Sequence, residues 1–234
     1  MEDVLDLYQQ PHDPVAPVVC MDETPRQLIE EVRKPIAPAP GRPARVDYEY
    51  RRNGTANVFM FLEPLAGWRR TCVTEQRTAI DWAHQIKHLL DVDYPEVRVV
   101  RLVMDNLNTH SLGSLYEAFS PDEARRLAVR LEIHYTPKHG SWLNVAESEL
   151  SVLSRQCLDR RIPDLATLNR EVATWNEARN DTTARVDWHF TSNHARSKLK
   201  RLYPTYVQKP AGAEPLPAMP SAMGVPLASA LTED

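Results

Sequence analysis

The sequence predicts an α/β fold with a mixed sheet, in which three antiparallel strands are followed by alternating helices and strands. A nearly continuous apolar and β-branched run at 97–104 is typical of a strand buried on both faces. Two later segments, 143–157 and 165–175, repeat apolar residues at spacings of three and four, as helices packed on a sheet do. Together these patterns favour a layer of helices on a sheet.

Apolar runs and alternation predict the strands of the first half. The first run ends at Asp22, and Asn53-Gly54 is a strong signal for a two-residue hairpin turn between two later strands. We expect the segments at 46–50, 58–62 and 68–73 to form a meander of three antiparallel strands, separate from the first buried strand. The predicted strand segments are residues 15–21, 46–50, 58–62 and 68–73.

The second half alternates between helix and strand. Trp82, Ile86 and Leu89 lie on one face of a helix predicted over 78–90. The buried strand at 97–104 ends at Asp105. A polar, partly helical stretch, a short strand over 131–135 and the two amphipathic helices then complete the domain.

Proline-rich segments predict the domain limits. Residues 35–43 are expected to form an exposed loop, and the tail from Pro210 has too few large apolar residues to fold. We therefore expect an N-terminal extension at 1–13, a folded domain at 14–204 and a Pro/Ala-rich disordered tail at 205–234.

Composition narrows the possible function classes. The net charge of -4 argues against binding to DNA through bulk positive charge, although a local basic groove remains compatible with it. The three cysteines form no Cys-x-x-Cys pair, so neither a zinc site nor a disulfide framework is expected. The chain begins with an acidic segment and has no apolar run of about 20 residues, which predicts a cytoplasmic protein without a membrane span.

Three acidic residues form the candidate catalytic and metal site. Asp22 and Asp105 each end a predicted buried strand, and Glu147 lies in the first turn of a helix that packs on the sheet. If the two strands are neighbours, the carboxylates converge at the edge where open α/β sheets place their ligands. Mg²⁺ or Mn²⁺ prefers such oxygen ligands, and two ions can serve phosphodiester chemistry.

Each acid also has a structural interpretation, and the pattern alone leaves both open. Asp22 can start a turn before Pro25, and Asp105 can form an Asx turn. Asn144 and Glu147 match a helix capping box. Glu149 competes with Glu147 for the third position, on the opposite flank of the same helix.

Longer motifs around these acids resemble a known family. They are CMDET around Asp22, VMDNLNTH at 103–110, YTPKHGSWLNVAESELSVL from Tyr135, and WHFTSNHARSKLKRLYP at 188–204. Over about residues 15–204, the chain is similar to the DDE catalytic domain of bacterial insertion-sequence transposases of the mariner-like superfamily. The resemblance implies an RNase H-like fold in which Asp22, Asp105 and Glu147 are the catalytic triad.

The resemblance also implies an activity and its partners. Transposases of this kind use Mg²⁺ or Mn²⁺, with two ions expected, to cut DNA at transposon ends and join the 3′-hydroxyl to target DNA at TA dinucleotides. They act as homodimers or larger assemblies, here expected at a bacterial nucleoid. They carry a helix-turn-helix region before the catalytic domain. Because Asp22 comes so early, we expect that region to be separately encoded, joined by a frameshift, or lost if this is a truncated copy.

Basic residues near the motifs are candidate DNA contacts. His110 can orient the acidic edge, touch a phosphate, or be a hydrogen-bonded structural histidine. The basic cluster near the end can bind phosphates or be a solvated helix face. The candidates are His110, Lys138, His139, Arg196, Lys198, Lys200 and Arg201.

Two other functions remain open at this point. One is a catalytically silent transposase fragment that acts only through dimerisation or DNA binding. The other is a related RNase H-like nuclease that cuts DNA without strand transfer.

Overall fold

The computed structural model describes residues 1–138 and 140–203, and it has the predicted α/β architecture. The strands are β1 Val18–Glu31, β2 Tyr50–Glu63, β3 Trp68–Thr74, β4 Val100–Met104 and β5 Leu131–Tyr135. The helices are α1 Glu2–Tyr8, α2 Ala79–His88, α3 Leu112–Ala118, α4 Pro121–Ala128, α5 Val145–Gln156, α6 Leu165–Asp181 and α7 Ser192–Lys198.

The sheet is mixed, with strand order β3-β2-β1-β4-β5. β2 runs antiparallel to both β1 and β3, whereas β4 runs parallel to β1 and β5 runs parallel to β4. The β1–β4 pairing stops at Cys20 and Val103, and the longer remainder of β1 pairs with β2. Pro25 lies in this remainder, where the missing N–H of proline is tolerated.

Helices cover both faces of the sheet and form two cores. Cys20, Met60 and Val103 point into the core that includes residues of α1, α5 and α6. The alternate residues Met21 and Met104 point into the other core, which includes residues of α2, α3 and α4. This alternation determines which face of the sheet each strand residue takes, including Asp22, which lies inside β1.

The turn predicted at Asn53-Gly54 is wrong. Strand β2 continues through both residues, which form an irregularity opposite the break between Gln27 and Ile29 of β1. Gly54 has φ +99°, a conformation that glycine adopts easily. An Asn-Gly pair suits a bulge as well as a turn because both need a positive φ.

The connection between β1 and β2 lies instead in residues 32–49. Ile36 pairs with Arg45 and Ala39 with Arg42 in isolated bridges, and Gly41 turns the chain with φ +75°. The predicted strand at 46–50 is therefore mostly part of this exposed connection, which matches the exposed loop expected at 35–43.

The folded part reaches the N-terminus. Helix α1 lies within the predicted extension at 1–13, but its Val4, Leu5 and Leu7 are buried in the core. The predicted boundary at residue 14 thus falls inside the folded part, because short apolar spacing in MEDVLDLY is enough for one buried face. The predicted tail at 205–234 lies outside the described residues. No helix among the described residues is long and apolar enough to cross a membrane.

Candidate active site

Asp22 and Asp105 lie at the same level on neighbouring strands. Cys20 of β1 pairs with Val103 of β4, and each acid comes two residues later. Adjacent strands are about 4.8 Å apart, and a two-residue step returns each side chain to the same face. Since Cys20 belongs to the core that contains residues of α5, Asp22 is directed toward the face covered by α5. Asp105 directly follows the last residue of β4, and its negative charge acts on Asp22.

Glu147 reaches this face from the first turn of α5. Asn144 caps the helix by accepting a hydrogen bond from the Ala146 N–H at 3.2 Å. Glu147 and Asp22 line one open cleft together with Ser151. The structure therefore brings Glu147 to Asp22, while Asp105 approaches Asp22 from the neighbouring strand.

The electrostatics of Asp22 reflect this convergence. Burial, together with the negative charges of Glu23, Asp105 and Glu147, raises the pKa of Asp22 to about 7, against a hydrogen bond from the Glu23 N–H that lowers it. That hydrogen bond is 2.8 Å long. A carboxyl with these surroundings favours a nearby positive charge.

The pKa of Asp105 is shifted in the opposite direction, downward. The Nδ1–H of His110 donates to Asp105 Oδ1 at 2.7 Å, and this contact lowers the pKa of Asp105 although burial acts to raise it. His110 is only 1% exposed and stacks on Trp82. These contacts fit both the orienting role and the role of a hydrogen-bonded structural histidine, and the ring is buried away from the surface where a DNA phosphate would lie.

A fourth carboxylate lies behind the acids. The Glu23 side chain is 3% exposed, with Oε2 3.4 Å from His110 Nε2 and Oε1 3.2 Å from Arg77. Burial raises the pKa of Glu23, while the contacts with His110 and Arg77 act to lower it. The resulting chain Arg77–Glu23–His110–Asp105 orients one side of the site. Glu23 and Arg77 are not among the site residues predicted from the sequence, although two successive acids after an apolar run are a visible signal.

Glu149 is not available as the third acid. Its carboxylate is buried and accepts from Arg179 Nε at 2.9 Å and Nη2 at 3.1 Å. Arg69 Nε lies 3.1 Å away on its other side. With both oxygens engaged between β3 and α6, Glu149 ties these elements to α5, whereas Glu147 faces the cleft.

The structure excludes two of the three local structural explanations for the acids and agrees with the third. Strand β1 continues through Pro25, so Asp22 does not start a turn. The capping box is also absent from α5, where Asn144 caps alone. A backbone contact from Leu107 does contribute to the lowered pKa of Asp105, which is the Asx-type contact expected there.

The donor set fits a hard divalent cation, although the side chains are not arranged as a finished metal site. Within residues 1–138 and 140–203, no three Asp, Glu, His or Cys side chains form a metal-binding group. The fit rests on chemistry: carboxylate oxygens are the ligands that Mg²⁺ prefers, and a cation would relieve the repulsion that keeps the Asp22 pKa high. Glu23 Oε2 is also buried without a hydrogen bond.

The remaining DNA-contact candidates lie in different places. Lys138 is exposed just before the α5 region, and His139 lies outside the described residues. Arg196 is bound to Glu2 of α1 at 2.6 and 2.8 Å, which neutralises it. The exposed residues of the cluster that follow it are Lys198, Lys200 and Arg201. Helix α7 contacts α1, so the structure does not join this cluster to the acids.

Comparison with protein families identifies the chain. Residues 17–169 match the model of the DDE superfamily endonuclease, a range that holds all three acids. The chain belongs to the DDE superfamily of endonucleases. The predicted DDE-type transposase catalytic domain is thereby confirmed at the level of the family. The comparison with curated proteins gave no match.

Solved structures similar to this DDE endonuclease include complexes of Mos1 transposase. The Mos1 strand transfer complex is 14% identical over 75% of this chain and 51% of that chain, with a TM-score of 0.52. The Mos1 mariner paired-end complex with Mn is 17% identical over 77% and 54%, also with a TM-score of 0.52. At these identities the likeness shows the fold, which confirms the RNase H-like prediction. The chain spans about half the length of these Mos1 chains.

Proposed function

We propose that the chain is the catalytic domain of a cut-and-paste DNA transposase. It hydrolyses phosphodiesters at transposon ends and then directs the freed 3′-hydroxyl to attack a phosphodiester of target DNA. Asp22, Asp105 and Glu147 are its catalytic acids. The observation that carries the proposal is the β1–β4 register, which sets Asp22 level with Asp105 in a chain of the DDE superfamily.

The same acids are proposed to hold Mg²⁺ or Mn²⁺, with two ions in the working site. When bound, such ions activate the attacking oxygen and stabilise the leaving oxygen of a phosphodiester. The residues of the chain prepare the site: His110 keeps Asp105 ionised and oriented, and the burial of Asp22 makes its ionisation depend on a nearby cation. The solved Mos1 complex with Mn supports this choice of metal.

DNA and further copies of the chain are the proposed partners. The Mos1 structures are a strand transfer complex and a paired-end complex, which supports transposon ends and target DNA as substrates of a homodimer or larger assembly. With a net charge of -4, the chain has little general attraction for DNA. The proposal therefore includes a separate or frameshift-fused helix-turn-helix region for end recognition.

A cleavage assay with matched variants tests the proposal. Wild-type protein is expected to nick supercoiled DNA with Mg²⁺ or Mn²⁺ and to be inactive with a chelator. Asp105→Asn should reduce nicking by about 10³-fold or more because it removes an acid that the reaction needs. Asp122→Asn, an exposed acid on α4, should retain activity. Nicking by Asp105→Asn at the wild-type rate would refute the assignment.

A joining assay separates the alternatives. Short duplexes with a free 3′-hydroxyl should become covalently joined to target DNA if the chain is a strand transferase. Cleavage without joining would favour an RNase H-like nuclease. Failure of the wild-type protein both to cleave and to bind Mn²⁺ would favour the silent fragment.

A further inference from the structure

One buried side chain connects the two elements that carry Asp22 and Glu147. Asn144 is 1% exposed and lies between α5 and β1. Its Nδ2 donates to the Met21 carbonyl at 2.7 Å, while its Oδ1 accepts from the Ala146 N–H at 3.2 Å. The same amide thus touches the residue before Asp22 and the first turn of the helix that presents Glu147.

The position of this contact in the sheet is informative. The Arg101 N–H donates to the Pro17 carbonyl, and β1 and β4 remain in register up to Cys20 and Val103. Carbonyls two residues apart on a strand point the same way, so Met21 directs its carbonyl toward β4. Had the ladder continued, the N–H of Asp105 would have been the next donor to it.

The side chain of Asn144, and not a backbone N–H of the neighbouring strand, donates to the Met21 carbonyl. The β1–β4 ladder therefore ends immediately before the two aspartates, and the amide of Asn144 donates to the carbonyl that the next bond of the ladder would have used. Met21 is thus bonded to Asn144 in place of the backbone N–H of Asp105. The two hydrogen bonds of Asn144 also connect the first turn of α5 to β1 next to Asp22.

We infer that Asn144 is a positioning residue that sets the separation of Asp22 from Glu147 and from Asp105, and hence the affinity of the site for a divalent cation. The inference rests on the proposed function, in which these acids hold the metal. Asparagine suits the task because its amide offers a donor and an acceptor on opposite sides. Aspartate could accept from Ala146 but could not donate to Met21.

The test compares two ways of removing the connection with a control at another helix. Asn144→Ser keeps a good capping oxygen but is too short to reach Met21, whereas Asn144→Ala removes both contacts. Asp164 caps α6 by accepting from the Thr167 N–H at 2.7 Å, on an exposed turn, so Asp164→Ala is the matched loss of a cap. Mn²⁺ affinity of the full chain is measured by titration calorimetry, with thermal unfolding recorded for each variant.

Both Asn144 variants are expected to weaken Mn²⁺ binding by about 10-fold or more, as residues that support metal ligands do. Asp164→Ala should lower the unfolding temperature without changing Mn²⁺ affinity. If Asn144→Ala does not fold, Asn144→Ser still decides the question because its cap is retained. Mn²⁺ binding by Asn144→Ser at wild-type affinity, with Asp105→Asn showing none, would overturn the inference and leave the proposed function standing. Absence of Mn²⁺ binding by the wild-type chain would contradict both.

Discussion

The pKa values of the neighbouring Asp22 and Asp105 are shifted in opposite directions. Burial raises the pKa of Asp22 to about 7, whereas the hydrogen bond from His110 lowers the pKa of Asp105. Neighbouring acids whose pKa values are shifted in opposite directions are typical of functional sites, where charged groups are arranged to bind a ligand and not to stabilise the fold. The metal-free fold therefore bears an electrostatic cost at Asp22.

The first prediction is that Asp22→Asn stabilises the metal-free protein at about pH 8. The folded pKa of Asp22 lies above its unfolded value of 3.8, so the native state binds the extra proton between these values. Stability consequently falls as pH rises from about 4 to 7, and the loss is complete above about pH 7. Asparagine has no such loss, and a gain on the order of 1–2 kcal/mol is expected.

Urea unfolding of both proteins at about pH 8 and about pH 5, in chelator, measures this difference. The advantage of Asp22→Asn should shrink at the lower pH, where the wild-type carboxyl is protonated in the folded state. A variant less stable than wild type at about pH 8 would contradict the argument.

The second prediction separates Glu147 from Glu149. Glu149→Gln breaks a buried ion pair with Arg69 and Arg179 and is expected to cost about 3 kcal/mol of unfolding free energy. Glu147→Gln should change stability by no more than about 0.5 kcal/mol, since Glu147 lines an open cleft, but it should abolish nicking. Urea unfolding and the nicking assay check the pair. Equal stabilities, or activity in Glu147→Gln, would reverse the assignment of the two residues.

At the scale of the elements, the long periodic segments were predictable and the local exceptions were not. The strand β4 and the helices α5 and α6 follow directly from apolar spacing. The Asn53-Gly54 pair predicts a turn as readily as a bulge because both need positive φ, and only the pairing of β1 with β2 distinguishes them. Helix α1 is not predicted because its seven residues are too few for a clear period.

The third prediction concerns α1. Leu5 is fully buried in the core that also holds Cys20 and Leu143, so Leu5→Ala should cost about 2–4 kcal/mol. Val15 is 66% exposed, and Val15→Ala should be within about 0.5 kcal/mol of wild type. Chemical denaturation measures both. A negligible effect of Leu5→Ala would restore residues 1–13 to the status of an extension.

At the scale of the whole molecule, the sequence identified the three acids but not the contacts between their elements. Asp22 and Asp105 were found because each ends an apolar run, and the family resemblance selected Glu147. That β1 and β4 pair with each other depends on the strand order of the sheet, which apolar patterns in the sequence do not encode. The contact of Asn144 with Met21 and the burial of Glu23 beside His110 also depend on tertiary packing.

The convergence of the acids is the central claim, and anomalous scattering from crystals of the protein grown with Mn²⁺ tests it most directly. A peak is expected within about 2.0–2.4 Å of carboxylate oxygens of Asp22 and Asp105, with Glu147 facing it, because hard cations bind oxygen at such distances. The peak should vanish in Asp105→Asn crystals. Mn²⁺ bound only elsewhere, with these three carboxylates facing solvent, would contradict the account.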